Sequence, residues 1–276
     1  MINSNFNFLP LLCKNAAIHF LRLACICVSL LLLLSTILFA QKTENQKAFG
    51  VGERLVFDVN YGFITAGEAV MSIPQLDTVL ETTTYKVQFT VRSTPTFDLF
   101  FEVRDRYETY LDTATIVPWR FEQHIKEGKY KRDYSAIFDQ KNHMARTDEG
   151  DFQIPALVHD IMSAFYYART IDYTGFRPGQ RVNLQNFFKG KVNPLDVKFL
   201  GRQKISVDAG TFNCIIVEPM VKEGGLFKSD GRILIWLSDD ERKIPVKVST
   251  KVLIGSIDAE LREYSGIAGE LKSKVQ

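Results

Sequence analysis

Apolar and polar residues alternate with a period of two along most of this chain, the pattern of strands that bury one face. Tyr85, Val87, Phe89 and Val91 share one face, and Lys86, Gln88, Thr90 and Arg92 share the other. Tyr130, Arg132, Tyr134, Ala136 and Phe138 oppose Lys131, Asp133, Ser135 and Ile137. Val246, Val248, Thr250, Val252 and Ile254 oppose Lys247, Ser249, Lys251 and Leu253. Shorter runs predict further strands at 53–60, 67–73, 105–111, 118–126, 180–188, 195–201, 212–218, 231–237 and 257–264, about a dozen in all. Turn-forming pairs such as Tyr61-Gly62, Glu127-Gly128, Ala209-Gly210 and Gly224-Gly225 separate them. The run Gly231-Arg232-Ile233-Leu234-Ile235-Trp236-Leu237 is apolar on both faces, which predicts a strand in the middle of the sheet, covered on both sides.

One segment departs from this period. Leu157, Ile161, Ala164, Phe165 and Ala168 recur at helical spacing, with Pro155 before them and Gly175 after, and predict a helix over 156–169. A short helical turn is expected at 96–101, where Thr94-Pro95-Thr96 leads into Phe97-Asp98-Leu99-Phe100-Phe101. Many antiparallel strands and one helix predict a mainly β protein: a large curved antiparallel sheet, a half-barrel or open barrel, wrapped around one central α-helix. The pattern runs as a single β-rich domain over 49–270, preceded by a polar lead at 41–48.

Before that lead, Arg22 is followed by an apolar run from Leu23 to Phe39 that ends Phe39-Ala40-Gln41. A cationic segment, an apolar stretch and a small exit residue read as a secretory signal over 1–40, which places the remaining chain in the periplasm. Leu38 is bulky for a cleavage site, so the alternative is an uncleaved anchor formed by this segment. With the signal removed, no apolar stretch is long enough to span a membrane as a helix.

Composition narrows the classes of partner. The chain has 34 basic and 32 acidic residues, and the leader holds two of the basic ones, Lys14 and Arg22, and no acid. The remainder is therefore neutral, without the basic surplus of a nucleic-acid binder. Three of the four cysteines also lie in the leader. Cys214, in an apolar strand pattern, is left without an internal disulfide partner and reads as a buried small hydrophobe.

Several stretches, in order, resemble an exported bacterial family known as domain of unknown function 3108. They are Gly52-Glu53-Arg54-Leu55-Val56-Phe57-Asp58-Val59-Asn60-Tyr61-Gly62, then Ala66-Gly67-Glu68-Ala69, then Arg104-Asp105-Arg106-Tyr107-Glu108 through Asp112. Pro118-Trp119-Arg120-Phe121, the stretch from Asp160 to Arg169, and Trp236-Leu237-Ser238-Asp239-Asp240 complete the match over most of 50–265. The resemblance implies an envelope location and a mostly antiparallel sheet, and implies no activity. The sheet-around-helix plan also resembles the half-barrel of periplasmic lipoprotein carriers, an analogy of fold alone.

Candidate chemistry is sparse. His124, His143 and His159 have no second His or Cys at metal-ligand spacing, so no metal site and no cofactor is expected. Ser238-Asp239-Asp240-Glu241 is the densest acidic cluster and reads either as a solvated turn or as part of a carboxylate site. Asp160, Ser163 and Tyr167 share a helix face as a buried polar network or as a cavity wall, while Arg169 suits the negative end of the helix dipole. Phe97, Phe100 and Phe101, with Leu226 and Phe227 at the tip of another loop, either plug the barrel end or rim a ligand-binding mouth. The leading expectation is a non-enzymatic periplasmic protein that binds a lipid or other amphiphile, or an envelope protein, through those loop residues. A polymer hydrolase using Asp160, Asp239 or Asp240 and a structural component with a filled core are the alternatives.

Overall fold

The structure, a computed structural model, describes residues 47–221, 232–252 and 255–275. The leader 1–40, most of the polar lead, the loop with Leu226 and Phe227, and Leu253 and Ile254 lie outside the described residues. Within them, fifteen strands form one antiparallel sheet. Its first meander comprises β1 (Arg54–Tyr61), β2 (Ile64–Val79), β3 (Thr82–Ser93), β4 (Arg104–Asp112), β5 (Pro118–Glu127), β6 (Tyr130–Asp139), β7 (Met144–Thr147) and β8 (Gly150–Gln153). The second comprises β9 (Arg181–Phe188), β10 (Lys191–Val207), β11 (Gly210–Val221), β12 (Ile233–Ser238), β13 (Pro245–Lys251) and β14 (Ser256–Ser265), with β15 (Lys274–Val275) alongside β11. Every neighbour within a meander is also a neighbour in sequence, and β1 pairing with β14 joins the two.

That topology explains why a helix sits inside the sheet. β8 and β9 are the two free edges of the strand order, and the chain between them carries the helix. The sheet curls until these edges touch through side chains: the Phe152 ring of β8 lies 5.7 Å from that of Phe187 on β9. No ladder closes the barrel among the described residues. Instead, the backbone of His159 bridges to β9, donating to the Gln185 carbonyl and accepting from the Phe187 N–H, each at 2.8 Å. Bulges at Val56/Phe57, Ser72/Gln75 and Phe199/Gly201 supply part of the curvature.

Two helices are described: α1 (Pro95–Asp98), capped by Thr94, and α2 (Ile161–Thr170). The expected start of α2 at 156 is corrected to 161. Asp160 is the N-cap: its carboxylate accepts from the backbone N–H of Met162 and Ser163, while the Ser163 hydroxyl accepts from the Asp160 N–H. This reciprocal cap stops the helix there, and the residues before it are held as an edge bridge. Leu157, expected on the helix's apolar face, instead has φ of +58° and is 62% exposed.

The inward faces follow the alternating pattern. Val87, Tyr134, Ala136, Phe138 and Val246 are buried, and Tyr85, Phe89 and Val91 pack against them. β12 lies between β11 and β13 as expected, with Ile233, Ile235 and Leu237 buried. Its outer residues are half-buried, not covered: Leu234 and Trp236 face outward, and Trp236 donates from Nε1 to Gln203 Oε1 at 2.9 Å. β7, β8 and β15 had no counterpart in the pattern, because strands of two to four residues are too short to display a period.

Candidate functional site

Between α2 and the concave face of the sheet lies a cavity of about 270 Å³. Phe57, Met71 and Phe89 from β1–β3 form one wall, and Val197, Val217 and Ile235 from β10–β12 form the other. Val248 and Ala259 from β13 and β14 join the walls, and Ile161, Phe165 and Ala168 from α2 close the remaining side. Each strand contributes here because its period places alternate side chains on the concave face. Thr250 is the one lining residue among those described whose side chain carries a polar group. A wall with no charge and a single hydroxyl can hold hydrocarbon and offers little to fix a reacting polar substrate.

The polar face of α2 is enclosed and lies outside this wall. Asp160 accepts from Thr109 Oγ1 at 2.6 Å besides its two cap bonds, and His159 Nδ1 is 3.2 Å from Ser163 Oγ. All four of these side chains are buried. Burial raises the Asp160 carboxyl to about 6, against the pull of its hydrogen bonds, and lowers the His159 imidazole to about 4. Although Ser, His and Asp meet here, the serine hydroxyl is spent in the helix cap, and none of the group is among the residues lining the cavity. Tyr167 is half-buried and enters this cluster by its ring alone, 5.1 Å from the His159 ring. Asp160, Ser163 and Tyr167 therefore sit close together, with the first two as the cap of the helix.

Arg169 does more than suit the helix dipole. Its side chain is fully buried and makes a two-pronged ion pair with Glu53, Nη1 to Oε1 at 2.7 Å and Nη2 to Oε2 at 2.8 Å. It also donates to the carbonyls of Ala48, Arg242 and Lys243, and its guanidinium lies over the Phe49 and Tyr166 rings. Helical spacing shows where Arg169 falls on the helix, but its partner is 116 residues away in sequence.

The acidic cluster is a turn. Asp239 pairs with Arg202, while Asp240 accepts from the Ser238 hydroxyl and from the backbone of Arg242, Lys243 and Ser273. Burial works against the Asp240 charge, and these hydrogen bonds outweigh it and hold the carboxyl below its usual range. No group of three or more His, Cys, Asp or Glu among the described residues is placed to hold a metal ion. Cys214 is fully buried, and that burial, with Asp239 and Asp240 nearby, pushes its thiol up to about 12. It is an inert packing group.

Phe97 is half-buried in α1, while Phe100 and Phe101 are exposed just after it. None of the three is among the residues lining the cavity. Strand register does place α1 at the same end of the sheet as the residues that the β11–β12 connection joins: Gly67 pairs with Ser93, and Ala259 with both Val59 and Val248. The lining residues themselves were legible as inward-facing positions; that a space remains between them was not.

Residues 56–262 match the family model described as "protein of unknown function (DUF3108)". The chain belongs to this family. No curated protein matches it in sequence. Among solved structures, a β-barrel-like protein of domain of unknown function DUF1849 from Brucella abortus is similar at a TM-score of 0.51 and 12% identity, covering 78% of this chain and 97% of its own. A protein with a YmcC-like fold from Bacteroides fragilis is matched at a TM-score of 0.37 and 11% identity, covering 78% of this chain and 96% of its own. At these identities the first likeness speaks of fold alone: this member of the family has a β-barrel-like sheet left open at its edges.

Proposed function

We propose that this protein works in the cell envelope and carries an apolar chain, such as the acyl chain of a lipid, in the cavity between α2 and the sheet. The observation that supports this reading is the lining: about 270 Å³ of space walled by hydrocarbon side chains, with Thr250 as the polar exception among the described residues. Burial of apolar surface supplies roughly 25 cal/mol per Å², so a long-chain amphiphile gains affinity there without any covalent step. The apolar run from Leu23 to Phe39 behind Arg22 supports the location. A filled structural core would leave no such space, and the raised carboxyl of Asp160 lies in a sealed helix cap where a polymer could not reach it.

Ala259, half-buried on the inner face of β14, offers the test because a larger side chain there occupies the cavity. In fluorescence titrations with a dansyl-labelled fatty acid, the parent should bind and Ala259→Phe should bind at least tenfold more weakly at unchanged far-ultraviolet circular dichroism. A parent that binds no probe, or a variant that binds it equally well, overturns the carrier reading.

A further inference from the structure

One end of the half-barrel carries most of the large apolar side chains that the described residues leave in water. Phe63 lies in the β1–β2 turn and Ile64 opens β2, Leu99, Phe100 and Phe101 follow α1 between β3 and β4, and Ile257 is the second residue of β14. Leu99 and Phe100 are 82% and 83% exposed, and the Phe63 side chain projects entirely into solvent. The register puts these connections on one rim: Tyr61 pairs with both Ile64 and Ile257, and Gly67, three residues into β2, pairs with Ser93 at the end of β3. Single exposed apolar side chains are ordinary, whereas a set gathered on one rim marks an interaction surface.

Charge at the same strand ends favours a particular kind of surface. Lys129 and Lys131 flank the start of β6, Lys189 and Lys191 flank the β9–β10 turn, and Lys251 ends β13. All five are exposed, and none is in an ion pair among the described residues. Three acids at this end are spent locally, Asp98 with Arg104, Glu102 with Lys126 and Asp258 with Lys247, while Glu127 at the end of β5 is in no ion pair among the described residues. Apolar tips on separate turns, with unpaired lysines beside them, suit a deformable anionic surface, which receives each tip without a matching pocket. Another protein would need a complementary hollow for each one.

We propose that this rim docks on the surface of an anionic lipid bilayer, with Phe63, Leu99 and Phe100 entering the interface and the lysines facing the headgroups. Ile233, Thr250 and Ala259 of the cavity lining lie toward the same end, so docking would present the cavity to lipid; that last link rests on the carrier reading, and the docking itself does not.

The test uses the full chain and vesicles of phosphatidylglycerol and phosphatidylethanolamine. A reporter in Phe63→Trp should shift its emission to shorter wavelength on vesicle addition and be quenched by lipids brominated in their acyl chains. The same reporter in Leu76→Trp, exposed on the far half of β2, should do neither. Adding Leu99→Ser and Phe100→Ser to Phe63→Trp should reduce the quenching at least fivefold, as should phosphatidylcholine vesicles or high salt. Residues 1–46 are common to every variant, so differences between reporters read the rim. Emission from Phe63→Trp that stays water-like with vesicles, quenching equal at both reporter sites, or a rim occupied by a second copy of the chain in solution each overturns the proposal. Ala259→Phe separates the two readings: it should lose the fatty-acid probe and keep vesicle binding.

Discussion

His159 and Asp160 are neighbours whose burial shifts them in opposite directions, and their effects on stability oppose each other. The unfolded chain protonates its histidine near 6.5, whereas the folded one waits until about 4. The unfolded state therefore binds more protons in that window, and stability is lost as pH falls from about 6.5 to 4. Asp160 does the reverse: folded, it takes up a proton near 6; unfolded, only near 3.8. It adds stability as pH falls through that interval. Each shift corresponds to about 3 kcal/mol, so in the parent the two largely cancel. Asp160→Asn, which retains a helix-capping side chain, should remove the compensation. Urea melts between pH 7 and 4 should then show the variant losing stability relative to the parent by about 2–3 kcal/mol as the medium acidifies. A difference that stays constant across this range would show that Asp160 does not titrate there.

Among the elements, α2 carries two kinds of contact on one short helix. Tyr166 is buried in the main core and is not among the cavity-lining residues, while Phe165 is half-buried and faces the cavity. Truncating an enclosed side chain leaves a void that the surroundings cannot fill, and truncating one that already borders a void loses fewer contacts. Tyr166→Ala should therefore cost about 3–5 kcal/mol. Phe165→Ala should fall below the ~3–5 kcal/mol expected of a fully enclosed phenylalanine. Urea unfolding of both variants checks this order, and the reverse order would mean that the cavity is filled around Phe165. The helix-spaced apolar residues identified α2 correctly as an element, but not this difference along it. Spacing assigns a side chain to a face; it does not reveal what lies opposite.

For the whole molecule, Arg169 is the tie between distant parts. From α2 it reaches Glu53 just ahead of β1, Ala48 in the entering chain, and the carbonyls of Arg242 and Lys243 in the β12–β13 turn. It thereby fastens the helix to both meanders at the β1–β14 seam. Removing one member of a buried ion pair leaves the other charge without compensation, so Arg169→Met should cost about 3–5 kcal/mol. Replacing both members, Glu53→Met with Arg169→Met, should recover part of that loss, because two apolar groups need no partner. Equal thermal midpoints for the single and double variants would contradict this account. The family model, matched from 56 to 262, covers α2 and nearly all of both meanders, while Ala48, Glu53 and β15 lie outside it.

The sequence by itself determined the local character of this protein. Period-two alternation fixed nearly all the long strands and their inward faces, and the ordered motifs from Gly52 to Asp240 identified the family. These are properties of neighbouring residues, and side-chain direction follows from the backbone within a few positions. Tertiary structure decided the rest. Asp160 made the helix begin late, at 161, because its carboxylate found two backbone N–H groups and Thr109, the latter 51 residues away in sequence. Arg169 became a buried tie because the fold brought Glu53 beneath it. The cavity exists because two walls and a helix, each legible as apolar, do not meet at their centre. Long-range distances of this kind depend on the curl of the whole sheet, which no local period encodes.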